Sequence, residues 1–253
     1  MKVLDCESIE LTYQSLEDIL GINKSRLNIL FDSIDIYDGS CSGIEPIKRL
    51  YSYVLNEIQC QADFDATYFF HCTRTKRGNE FEEGLLPLNE VIDKMWDFLF
   101  DLTEGQVTPQ QWADFRHSIE SSNSHWANLY TMKLANAKLH GGPHASLIKE
   151  TTIKETNSSK LWNYFEIPEI IDDICKCCPF KINLRHKFTT NTAPYIVKFI
   201  DYTNNKDALL HALLYAYHKH RHLELSDNCN TCFSGKGQPV PKNRIITIKE
   251  VSY

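Results

Sequence analysis

Apolar residues return every three or four positions over residues 8–34, through Leu11, Leu16, Ile19, Leu20, Leu27, Leu30 and Phe31. That spacing puts one apolar stripe along a helix. Gly21-Ile22-Asn23 interrupts it, so the segment reads as two helices joined by a tight turn. Leu16 to Leu30 also has the outline of a helix-turn-helix, but a plain helical hairpin explains it as well, with only Lys24 and Arg26 to meet phosphates. A turn-rich stretch, Asp38 to Gly43, precedes a helix expected over 45–61 from Ile47, Leu50, Val54, Leu55 and Ile58. Thr67 to Thr73 is aromatic and extended in character, which predicts a strand. Phe81 to Leu88 is expected to form a short helix capped by Gly84 and then an extended piece. Amphipathic helices follow over 89–102, 108–120 and 124–138, and Leu139 to His144 breaks the pattern ahead of a strand over 145–148. Helices over 158–165 and 167–178, a strand over 194–201, a helix from Asp207 to His222 and a strand over 244–251 complete the chain. Few strands between long helical stretches predict an α+β fold rather than a doubly wound sheet. The expected division is a helical segment over 1–64 and a second domain over 65–253 with a helical insertion at about 89–138.

Composition narrows the class. Of 253 residues, 42% are hydrophobic and 24% charged, enough apolar surface to bury a core and too much for a disordered chain. No run reaches the roughly 18 apolar residues of a membrane span. Acidic residues enter at Asp5 and Glu7, unlike a signal peptide, so no membrane partner is expected. Nine cysteines, an odd number on a long chain, read as core thiols or metal ligands in a reducing, cytoplasmic setting rather than as bridges. A net charge of −6 offers no general pull toward nucleic acid. One local basic stretch, Lys181 to Lys187 between Phe180 and Phe188, reads as a solvated loop, with contact to a nucleic-acid strand as the alternative.

The first candidate for chemistry is His71-Cys72-Thr73-Arg74. Alternate residues of a strand share a face, so His71 and Thr73 point one way and Cys72 the other. Imidazole and hydroxyl both donate and accept, which suits a ribose diol, and Arg74 is placed to meet a phosphate. The plainer reading is a structural histidine satisfied by one hydrogen bond. Further on, Gly141 and Gly142 would let backbone approach a ligand closely or simply form a tight turn.

The run Tyr68 to Arg74, a polar gap, and then Phe81-Glu82-Glu83-Gly84-Leu85-Leu86-Pro87 resembles the opening of the ADP-ribosyltransferase superfamily. The resemblance covers about twenty residues. It implies a split sheet core that binds NAD, with His71 on the nicotinamide-side ribose and Thr73 on the adenosine-side ribose. It also implies an aromatic ring on a later strand, where this chain has Gly142-Pro143-His144, and an acid near the last strand, where it has Gln238. Gln238 can hydrogen-bond a ribose hydroxyl but brings no charge. The implied activity is transfer of ADP-ribose from NAD to a macromolecule, protein, RNA or DNA. Small members of the superfamily serve as toxins or anti-phage effectors, which would add a neutralising antitoxin as a partner. A related alternative is an RNA 2′-phosphotransferase-like enzyme with Arg74 and Arg244 around its site.

A separate set is His218, His222, Cys229 and Cys232. Two imidazoles four apart on a helix and a C-x-x-C turn would suit a closed structural zinc. That reading makes the chain a zinc-stabilised, non-enzymatic binding protein. Cys175, Cys177 and Cys178 read as packing residues, since neighbours on a helix diverge.

Overall fold

The computed structural model describes residues 1–38, 45–59, 61–136, 141–153, 165–225 and 227–251. The helix expected over 158–165 lies outside these except for Phe165, as does most of the turn-rich stretch after Asp38.

Local signals set the first helices. In α1 (Ile9–Leu20) the Ser8 hydroxyl accepts from the Leu11 N–H at 3.3 Å. The helix ends at Gly21, whose φ of 71° lets its N–H turn back to the Glu17 carbonyl. In α2 (Lys24–Asp32) Asn23 caps the Arg26 N–H, and α3 (Pro46–Ile58) opens on proline.

Six strands form an open sheet: β1 (Val3–Leu4), β2 (Ala66–Lys76), β3 (His144–Ser146), β4 (Thr192–Asp201), β5 (Cys232–Ser234) and β6 (Ile245–Glu250). Their order is β5-β3-β2-β4-β6. β1 lies parallel to β2 with Val3 beside Ala66, and β3 runs antiparallel with Phe70 beside Ser146. Every residue of β4 is buried, Lys198 and Asp201 included, which explains why apolar residues dominate it. With ten α-helices among the described residues, the architecture is α+β, as the pattern predicts.

Contacts divide the chain into two units, each from three stretches. The first comprises Met1–Phe70, Ala145–Leu161 and Lys198–Phe233. It contains α7 (Lys149–Ile153) and α10 (Lys206–His220), and α10 is buried almost all round, with Tyr217 edge-on to Phe31 at 5.6 Å. The Lys198 ammonium is buried in this unit, 2.7 Å from Asp5 and 2.8 Å from Glu7.

The second unit comprises His71–His144, Trp162–Val197 and Ser234–Tyr253. Its core is built by α4 (Leu88–Asp101), α5 (Pro109–Ser121), α6 (His125–Ala135), α8 (Glu169–Cys177) and α9 (Leu184–Asn191). Trp96 sits at its centre, its indole N–H bonded to the Tyr130 hydroxyl at 2.9 Å and its ring edge-on to Trp112 and Phe115.

Three expectations are corrected. Phe81 to Leu88 is not a helix but a single turn, closed by Gly84 N–H to the Phe81 carbonyl at 2.8 Å. Leu85 then exchanges two backbone bonds with Val240, at 2.8 and 2.9 Å. One helical turn is a costly nucleus, and the long-range pairing displaces it. A Cβ on Gly84 would lie 2.2 Å from the Val240 oxygen, and φ there is +82°. Gly84→Ala should therefore destabilise the fold by about 1–3 kcal/mol, read as a lower urea midpoint. The basic stretch Lys181 to Lys187 is not a loop throughout. Asn183 caps α9, and Leu184 and Phe188, four apart, are buried. Finally, α10 stops at His220, and His222 has left the helix with φ +52°.

Candidate active site on the second half of β2

His71 and Thr73 lie on the second unit's part of β2 and are half-buried, with Cys72 on the opposite face. The His71 ring meets the His144 carbonyl oxygen through Nδ1 at 2.7 Å. A carbonyl only accepts, so Nδ1 carries the proton and Nε2 presents its lone pair. Burial pushes the imidazole pKa down while the bond to the His144 carbonyl pulls it up, and the net direction is down. The ring is therefore neutral at pH 7. Neither its Nε2 nor the Thr73 hydroxyl has a hydrogen-bond partner among the described residues. That leaves one acceptor and one donor–acceptor two residues apart on one face.

The His144 carbonyl is held by a clasp of backbone. Leu88 N–H donates to the Gly141 carbonyl at 2.7 Å. Gly237 N–H donates to Gly142 at 3.1 Å, and Gly235 N–H donates to Pro143 at 2.9 Å. Gly142 has φ +63°, and a Cβ there would press on the His144 backbone nitrogen at 3.2 Å and its ring at 3.4 Å. The loop that supplies Gly235 and Gly237 also carries Gln238, whose backbone N–H closes a turn onto the Gly235 carbonyl at 2.9 Å. Gln238 is exposed, and its amide makes no hydrogen bond among the described residues. The backbone thus gathers His71, Gly142, His144 and the Gln238 loop, residues far apart in the chain.

No family model, curated protein or solved structure matches this chain. What the site can do is read from its own chemistry. A neutral imidazole acceptor beside a hydroxyl can hold a vicinal diol, and an unpartnered carboxamide can donate to or accept from a third hydroxyl.

The other candidates are placed differently. His144 opens β3, which pairs antiparallel with β2 through Phe70 and Ser146. His144 gives His71 its carbonyl as a hydrogen-bond partner, and the charge its ring can carry adds to the downward push on the His71 pKa. Arg74 serves the end of α9: its guanidinium donates to the carbonyls of Thr189 (2.6 Å), Phe165 (2.6 Å) and Thr192 (3.2 Å) and to the Thr192 hydroxyl (2.8 Å). A cation at helix C-terminal carbonyls is favourable, and a phosphate would have to compete with it. Arg74 also borders an open pocket of about 490 Å³ with Glu166, Arg185 and His186, where Arg185 is paired to Glu166 and to buried Asp172.

His218 is buried with both ring nitrogens engaged, Nδ1 by the Glu224 carbonyl at 2.6 Å and Nε2 by the Tyr37 hydroxyl. Cys229 is fully buried, Cys232 is exposed, and His222 lies past the helix end. As placed, these four do not form a metal donor set among the described residues. Cys175 packs against the core of the second unit, and burial pushes its thiol up to about 12.

Three supporting residues, Tyr195, Glu250 and Arg77, carry no sign in the sequence that they meet. The buried Tyr195 hydroxyl accepts from Gly78 N–H at 2.9 Å and donates to Glu250 at 3.2 Å, and Arg77 pairs with Glu250 at 3.0 Å. This trio fixes the turn that follows β2. The glycine pairs at 141–142 and 235–237 were the only local sign of the clasp, and nothing in either says which glycines meet.

Proposed function

We propose that this protein is an NAD-consuming, ADP-ribosyltransferase-like enzyme that transfers ADP-ribose to a macromolecular acceptor. One observation carries the reading: His71 is held as a neutral ring whose Nε2 has no hydrogen-bond partner among the described residues, on the half-exposed face it shares with Thr73. Nε2 accepts a ribose hydroxyl proton and Thr73 bonds a second hydroxyl. Gln238, on the loop tied to the same backbone, holds a further hydroxyl while the sugar becomes cationic. In the reaction the bond from ribose C1′ to nicotinamide breaks, and its electrons leave with nicotinamide. An acceptor nucleophile then bonds to C1′ and loses its proton. A carboxamide stabilises that cation less than a carboxylate would, so turnover is expected to be slow.

The test is incubation with labelled NAD and separate pools of protein, RNA and DNA. The expected result is release of nicotinamide with label retained in one pool. Folded protein that releases no nicotinamide in any pool overturns the proposal.

A further inference from the structure

We infer that Gly235 is a positioning residue, whose close docking on Pro143 holds the His144 carbonyl in place and thereby fixes which nitrogen of His71 carries the proton. The functional consequence rests on the reading of His71 as a ligand-binding group; the geometry does not.

Each link is a named contact within the second unit. The Leu85–Val240 pair anchors one end of the loop, and Gly84 makes room for the Val240 oxygen. At the other end Gly235 and Gly237 bond to Pro143 and Gly142. Gly235 has no room for a side chain: a Cβ would lie 2.7 Å from the Pro143 ring, 2.7 Å from the Gln238 oxygen and 3.0 Å from the Gly142 oxygen. Unlike Gly142, it does not have positive φ, so the requirement is close approach rather than a left-handed backbone. From Pro143 the next residue is His144, whose carbonyl is the partner of His71 Nδ1 at 2.7 Å.

The consequence is chemical. In a neutral imidazole the bond made by one nitrogen decides the state of the other. With Nδ1–H fixed, Nε2 can only accept. If the carbonyl moves away, the proton is free to move to Nε2, and the face shared with Thr73 becomes a donor where a hydroxyl proton needs an acceptor. The loop that sets this state also presents Gln238, so one clasp places both groups.

The deciding experiment is side-chain nitrogen NMR of the ¹⁵N-histidine-labelled protein, with His71 assigned by comparison with His71→Asn. In the wild type, His71 should show the Nδ1-protonated pattern. In Gly235→Ala it should shift toward the Nε2-protonated or averaged pattern, with kcat for NAD consumption falling about 10–100-fold. Lys236→Ala, an exposed neighbour on the same loop, should leave both unchanged. A folded Gly235→Ala protein that keeps the wild-type His71 pattern overturns the inference. If that variant does not fold, hydrogen exchange in the wild type decides. The Gly235 and Gly237 amides should be protected together, and exchange at free-loop rates overturns the clasp. A wild type with the expected tautomer but no reaction with NAD sinks the proposed function and leaves the positioning role standing.

Discussion

His71→Ala should lower kcat/KM for NAD by at least about a hundredfold, the scale on which a positioned acid–base or hydrogen-bonding group acts in catalysis. The unfolding transition should hardly move. The side chain is half-exposed and makes one hydrogen bond, to the His144 carbonyl, worth about 1 kcal/mol. His71→Asn sharpens the test. An amide N–H can still reach the carbonyl, but nothing replaces the Nε2 lone pair, so this variant should be as inactive as alanine while retaining more stability. Thr73→Val keeps shape and removes the hydroxyl, and a loss of about tenfold is expected. The pH profile separates a catalytic from a structural histidine. Burial holds the His71 pKa below the ordinary imidazole range, and protonation would remove the acceptor. Activity should therefore persist as pH falls past about 6.5 and be lost only in more acid solution. An activity unchanged in His71→Ala would place the chemistry elsewhere.

The parts of this fold that can be read from the chain are those in which one local pattern carries the whole element. β4 is rich in apolar residues because both of its faces are buried, and α10 is nearly buried all round. β2 is equally plain, and alternation along it correctly separates His71 and Thr73 from Cys72. The errors arise where a local pattern meets a distant partner. Gly84 reads as a helix cap, yet its backbone geometry serves the Val240 carbonyl across the sequence. α9 is hidden because Arg185, His186 and Lys187 dominate its composition while only Leu184 and Phe188 face inward. His218 and His222 are four apart, but the helix ends between them, and a polar helix end gives no sign of where it stops. The candidate site divides along the same line. Its two strand residues are visible from alternation. The clasp that fixes them is not, because two glycine-bearing loops do not show in sequence which backbone bonds join them. The same limit explains Arg74, whose sequence position shows a cation at a strand end but not the carbonyls of α9 that use it.

The largest stability effect is expected at Lys198. Its ammonium is buried in the first unit and lies over the Tyr68 ring at 4.3 Å as well as beside Asp5 and Glu7. Glu7 is shared, since Lys149 also reaches it at 2.6 Å. Lys198→Ala removes the common partner and leaves carboxylates in a partly desolvated place. Breaking such a pair from one side costs about 3–5 kcal/mol, a large share of the roughly 5–15 kcal/mol that holds a domain folded. Lys198→Met keeps the stem over the Tyr68 ring without the charge, so the difference between the two variants measures packing alone. The pH dependence tests the cause. Burial raises the Glu7 pKa, but the bonds to Lys149 and Lys198 outweigh it and bring it from 4.5 to about 2. Glu7 is thus easier to protonate in the unfolded chain, and its contribution is complete above about pH 4.5 and disappears as pH falls toward 2. Urea unfolding at pH 7 and at pH 3 should show the wild type losing more stability on acidification than Lys198→Ala, which has already lost one of the two partners. Equal losses in the two proteins would mean that Lys198 does not hold Glu7 ionised, and that the cost of the substitution comes from the cavity it leaves in β4.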